Sequence, residues 1–115
     1  MNPNLPTFLS ILYEKKIPSK VSTAASYRSI DWYINAFKSN PDTEWVFGVD
    51  GLPQDSHIYR KNQNGEKLFE VMKIGAEMEI QIVWQYIVFR YNEKDVEQAV
   101  QLAKDNGIIF ELNIF

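Results

Sequence analysis

Apolar residues recur along this chain in two alternating patterns, one with helical spacing and one nearly continuous. In "LPTFLSILYEKK", Leu5, Phe8, Leu9 and Leu12 fall at i, i+3, i+4 and i+7, Pro6 suits a first helical turn, and Lys15 and Lys16 suit the last. The short β-branched "KVSTAAS" predicts a strand ending near Ala24 or Ala25. Helical spacing returns in "SYRSIDWYINAFKSN" with Ile30, Tyr33, Ile34 and Phe37, and "NPD" ends it. "EWVFGV" predicts a strand buried on both faces. "GEKLFEVMKIGAEM" predicts a helix with Leu68, Val71, Met72 and Ala76 on one stripe and Gly75 as a weak point. "IQIVWQYIVF" is the strongest strand signal, rich in β-branched and aromatic residues.

In "NEKDVEQAVQLAKDNG", Asn92 and Asp95 are spaced like a capping box. Val96, Ala99, Val100 and Ala103 follow on one stripe, and Gly107 marks the stop. "IIFELNIF" predicts a fourth strand. Helix and strand thus alternate four times, the pattern of a mainly parallel sheet with crossover helices. Alternation by itself leaves open a flat four-stranded α/β sandwich and an arc of a (β/α) barrel.

Composition narrows the class. The 115 residues suffice for one α/β domain spanning 1–115, and 45% hydrophobic residues with seven Phe, six Tyr and three Trp describe a folded, aromatic-rich chain. The formal charge of -3 and the scattered basic residues argue against nucleic acid as a partner. No apolar run approaches the roughly 18 residues needed to span a bilayer, and the start does not resemble a signal peptide, so the expectation is a cytoplasmic protein with no membrane partner. The chain has no cysteine, which removes thiolate chemistry and cysteine-held zinc or iron–sulfur clusters. His57 is the single histidine, so no histidine metal cluster is expected, and no phosphate-binding glycine loop follows a strand. Glu77 and Glu79 do not form the opposed pair that glycoside hydrolysis needs.

Ligands of α/β folds gather at the carboxyl ends of parallel strands. That rule places Thr23, then Gly48, Asp50 and Gly51, then Arg90 and Asn92, and finally the residues around Asn113 along one rim. A ligand carrying an amine and a carboxylate would meet Asp50 on one side and Arg90 on the other. Each residue also has a plainer reading: Asp50-Gly51 as a turn, Arg90 as a solvated strand end, Asn92 as a helix cap, and the polar "DSHIYRKNQNGEK" as a connecting loop. Gln85 sits inside an apolar strand, where an amide must find partners or face a cavity. Trp45, Phe47 and Trp84 are large enough to fill such a cavity.

The stretches "VSTAAS", "WVFGVDGL", "HIYRKN" and "IVFRYNEKDVEQAVQLAKDNGIIF" together resemble the middle and later part of a radical S-adenosylmethionine enzyme core. In that family a strand ending in Thr-Asn-Gly precedes one ending in Asp-Gly, then a Tyr-Arg turn and a strand running into Arg-x-Asn. The resemblance covers most of the chain from Val21 onward and implies an arc of a partial (β/α) barrel. It implies that Thr23 stands in the Thr-Asn-Gly position, with Ala24 and Ala25 replacing Asn and Gly. Gly48, Asp50 and Gly51 then line an adenosylmethionine pocket, and Arg90 meets the cofactor carboxylate. The family's Cys-x3-Cys-x2-Cys cluster loop is missing, so radical catalysis by this chain alone is not expected.

A barrel arc has two open sheet edges. The expected function is therefore a non-catalytic protein-binding or self-assembling module, either a homo-oligomer or a domain whose partner covers an edge. The alternative is binding of S-adenosylmethionine or a related polar metabolite at the rim through Thr23, Gly48, Asp50, Gly51, Gln85, Arg90 and Asn92, either alone or as half of a site completed by another chain. No other cofactor and no metal are expected.

Overall fold

The computed structural model describes residues 4–24, 26–60 and 62–114. Its elements are α1 (Leu5–Glu14), β1 (Lys20–Thr23), α2 (Ile30–Ser39), β2 (Glu44–Gly48), α3 (Ser56–Tyr59), α4 (Gly65–Glu77), β3 (Ile82–Val88), α5 (Val96–Asp105) and β4 (Ile109–Ile114). The four strands form one sheet in the order β1-β2-β3-β4, and every pair is parallel. Sequential order in one direction is the arrangement of a (β/α) barrel arc, whereas a doubly wound sheet reverses its order. The chain is thus a four-stranded parallel α/β arc.

One sheet face carries the core. Trp45 and Phe47 of β2, Ile82, Trp84 and Tyr86 of β3, and the neighbouring Val21 and Phe110 pack with Leu9, Tyr33, Phe37, Leu68, Met72 and Ala99 from the helices. Period-two alternation sends Ser22, Val46, Gly48, Val83, Gln85 and Ile87 to the opposite face. The aromatic side chains therefore fill the helix layer, where Trp45 lies edge-on to Phe37 at 5.1 Å and Trp84 edge-on to Phe110 at 5.5 Å. Trp45, Phe47 and Trp84 do not fill the rim.

Short polar side chains cap two of the helices. Ser29 caps α2, its Oγ accepting from the Trp32 N–H at 3.1 Å, and Asn64 caps α4, its Oδ1 accepting from the Lys67 N–H at 3.0 Å. Gly75 is a close-packing position: a Cβ there would come within 2.7 Å of Ile82 Cδ1 and 3.2 Å of Phe37 Cε2. Glycine lets α4 approach the sheet. The β1 strand ends at Thr23, and Ala25 lies outside the described residues.

The capping box at Asn92 is not formed. A 3-10 turn at Glu93–Asp95 precedes α5, and neither Asn92 nor Asp95 makes a side-chain cap bond. Asn92 is buried and turns back to the strand end: its Oδ1 accepts from Phe89 N–H at 2.7 Å and its Nδ2 donates to the Ile87 carbonyl at 2.9 Å. A strand end leaves backbone donors and acceptors without ladder partners, and a short amide supplies both kinds of group at once.

Candidate functional site

The rim is built where the chain leaves β2. Past Gly48 it continues through Val49, whose carbonyl accepts from the Trp84 indole N–H at 2.8 Å, to the buried Asp50. Gly51 then turns the backbone at φ +120°, a conformation that favours glycine. Both Asp50 oxygens are engaged: Oδ1 accepts from the Ile87 N–H at 2.9 Å, tying β2 to β3, and Oδ2 accepts from Arg60 Nε at 2.8 Å. The carboxylate is thus a brace between two strand ends and the returning loop.

That loop is more ordered than a plain connection. It contains a 3-10 turn at Pro53–Asp55 and then α3, and Pro53, Ser56 and Gln63 are buried. Arg60 follows α3 and brings its guanidinium over Gly48, where a Cβ would stand 3.2 Å from Nη2. Gln63 clips two strands together: its Nε2 donates to the Ala24 carbonyl at 2.9 Å and to the Gly48 carbonyl at 2.8 Å. Gln63 Oε1 is buried without a hydrogen-bond partner, so an unused acceptor sits beside the strand ends.

Two hollows flank Arg60. One, of about 210 Å³, is lined by Ser22, Thr23, Val46, Gly48, Gln85 and Arg60. The other, of about 530 Å³, is lined by Ala24, Ser26, Tyr27, Asn62, Gln63 and Arg60. The Arg60 side chain is 31% exposed, and Nε alone is spent on Asp50 among its described hydrogen bonds, which leaves planar N–H donors suited to a carboxylate or phosphate. A larger hollow of about 610 Å³ lies at the other end of the strands, near Leu12, Ile17, Pro18, Asn40 and Asp42, away from this polar cluster.

Of the residues marked from sequence, Thr23, Gly48 and Gln85 share the smaller hollow. Asp50 lies behind Arg60, and Gly51 shapes the turn beside it. Arg90 is exposed in the turn after β3 and lines neither hollow, while both polar atoms of the Asn92 side chain are used at the strand end. Arg60 and Gln63 are the residues that sequence reading left in a loop. The available signal for Arg60 was an unpaired basic residue ten positions after a carboxylate at a strand end; Gln63 had none. His57 is exposed on α3, and no group of three metal-ligating side chains occurs among the described residues.

Tyr33 closes the β1 end from the helix side. Burial pushes its phenol above the ordinary value, and a hydrogen bond with Thr23 opposes part of that rise.

No protein-family model matches the chain, and no curated protein matches it in sequence. Among solved structures it is similar to the crystal structure of Streptococcus suis SuiB, with a TM-score of 0.79 and 13% sequence identity. The match covers 96% of this chain and 26% of SuiB, so the chain spans about a quarter of that protein's length. The likeness shows a shared α/β arc.

Proposed function

We propose that this chain is a non-catalytic module that associates with protein, foremost with itself, through its open sheet edges, on an arc of the radical S-adenosylmethionine kind. The observation that carries the reading is β4. It is an edge strand that exposes Leu112 and Ile114 (43% and 84%) on its helix side and Ile109 (50%) on the opposite face, beside outward-facing backbone groups. The family resemblance is supported by the ion pair between Asp50 and Arg60, which joins the Asp-Gly and Tyr-Arg stretches that suggested it. A cysteine-free chain supplies no thiolate to an iron–sulfur cluster, so cluster chemistry is not assigned to it. Light scattering across a concentration series tests the reading: the mass should exceed the 13.4 kDa of one chain, and Ile114→Lys should lower it. A chain monomeric at every concentration overturns the reading.

A second reading rests on the rim. Arg60 lines the smaller hollow with donors not used among the described residues, and Gln63 holds its buried acceptor nearby, which favours a small polar ligand with an acidic group such as S-adenosylmethionine. Titration with S-adenosylmethionine followed by thermal unfolding checks it, because ligand at about 100 times Kd adds roughly 2.7 kcal/mol. No shift, or an equal shift in Arg60→Met, removes this reading.

A further inference from the structure

We infer that two copies of this chain close head to tail into one eight-stranded (β/α) barrel, β4 of each copy pairing in parallel with β1 of the other. The inference rests on the self-association reading and names its partner and geometry. Four parallel strands in sequential order, with the helices packed on one face, are half of the eight that close such a barrel. Adding a second copy continues the order 1-2-3-4-1-2-3-4 and returns to the first strand. Both junctions are equivalent under one two-fold axis, and no edge remains.

The backbone has the required phase. Glu44 N–H donates to the Ser19 carbonyl and Trp45 N–H to that of Gln81, so alternate residues of each strand face alternate neighbours. Carried through the register, this turns the peptide groups of Lys20 and Ser22 outward on β1, and those of Phe110, Leu112 and Ile114 outward on β4.

Part of the exposed apolar surface lies at the same two edges. Phe8 and Ile11 of α1 are exposed, as are Val100, Leu112 and Ile114 on the β4 side. Ser10 marks the side of α1 that faces α2, since its Oγ donates to the Ser39 carbonyl at 3.5 Å. At about 100° per residue, Phe8 lies roughly 200° around the helix from Ser10 and so points away from α2, over the space beyond β1. Leu112 and Ile114 share the helix-side face with Phe110 and are exposed there, with no described helix packed over them. In the closed dimer the partner's α1, which leads into the partner's β1, occupies that uncovered place. Its Phe8 face then lies against Leu112 and Ile114.

Charge agrees. Lys20 and Glu111 stand on the two edge strands and on the same concave face, so each junction sets opposite charges near each other. Closure also completes the candidate site. Ser22, Gln85 and Ile87, open on the concave face of one copy, become barrel interior, and two Asp50–Arg60 pairs share one rim walled by both chains.

The test is the solution mass of the full chain and of three variants, each checked for folding by circular dichroism. The expected result is twice the 13.4 kDa chain mass for the wild type and a halved mass for Ser22→Pro, for Phe8→Lys and for Ile114→Glu. Phe8 and Ile114 are exposed, so these two variants keep the test alive if the proline disturbs folding. Mixing Phe8→Lys with Ile114→Glu should restore the dimer, because one junction is then unmodified and the other sets Lys against Glu. An assembly larger than two, or one indifferent to Ser22→Pro and Phe8→Lys, overturns the barrel while the self-association reading stands. A monomer throughout overturns both.

Discussion

Asp50 is the residue whose removal should reveal most about how the rim is held. Its two oxygens bind the Ile87 N–H and Arg60 Nε, and its side chain is only 4% exposed. A hydrogen bond to a charged group contributes about 1.5–3 kcal/mol. Asp50→Asn retains an acceptor for Ile87 but sets an amide or a neutral oxygen against Arg60, and the partial exposure of Arg60 screens some of the loss. The expected cost is about 2 kcal/mol. Asp50→Ala loses both contacts and leaves the Ile87 N–H without its acceptor, for about 3 kcal/mol.

Urea unfolding followed by the fluorescence of the buried Trp45 and Trp84 measures these values. With a slope of about 1–3 kcal/mol/M, a 2 kcal/mol loss moves the midpoint by roughly 1 M. Protein concentration must be matched between variants, since association adds to apparent stability. Crossing Asp50→Ala with Arg60→Met should give a coupling energy of about 1–2 kcal/mol. A coupling below about 0.3 kcal/mol would refute the brace, because the two side chains would then act independently.

Two further outcomes follow from the same geometry. Asn92→Ala strips partners from the Phe89 N–H and the Ile87 carbonyl and should cost about 2–3 kcal/mol in the same urea assay, whereas loss of a helix cap alone costs about 1 kcal/mol. The raised Tyr33 phenol gives an alkaline signature: its stabilising share is fully present below the ordinary value of 10.0 and is lost as pH rises through the higher folded-state value. Tyr33→Phe should therefore flatten the fall in stability above pH 10 in unfolding curves recorded across that range, and an unchanged slope would contradict the assignment.

Reading the chain by periodicity recovered the order of the four strands and the four longer helices, though not the short α3, because helix and strand spacing are local properties of neighbouring residues. The rule that ligands meet parallel strands at their carboxyl ends put Thr23 and Gly48 on one rim, and Gln85, marked only as an amide inside an apolar strand, lines the same hollow. Gly75 was legible as a helix-weakening residue but not as a contact, since its packing partners Phe37 and Ile82 come from two other elements.

What the sequence by itself determined was therefore the α/β alternation and the approximate strand ends, both of which depend on residue type and short-range spacing. Tertiary structure alone decided that the strands run 1-2-3-4, that Asp50 is held by Arg60, that Gln63 spans two strand ends and that Asn92 serves β3 instead of capping α5. Each of these depends on which polar group a returning segment brings within about 3 Å of another. A hydrogen bond is made only at that range, and no local pattern encodes the path that brings the two groups together.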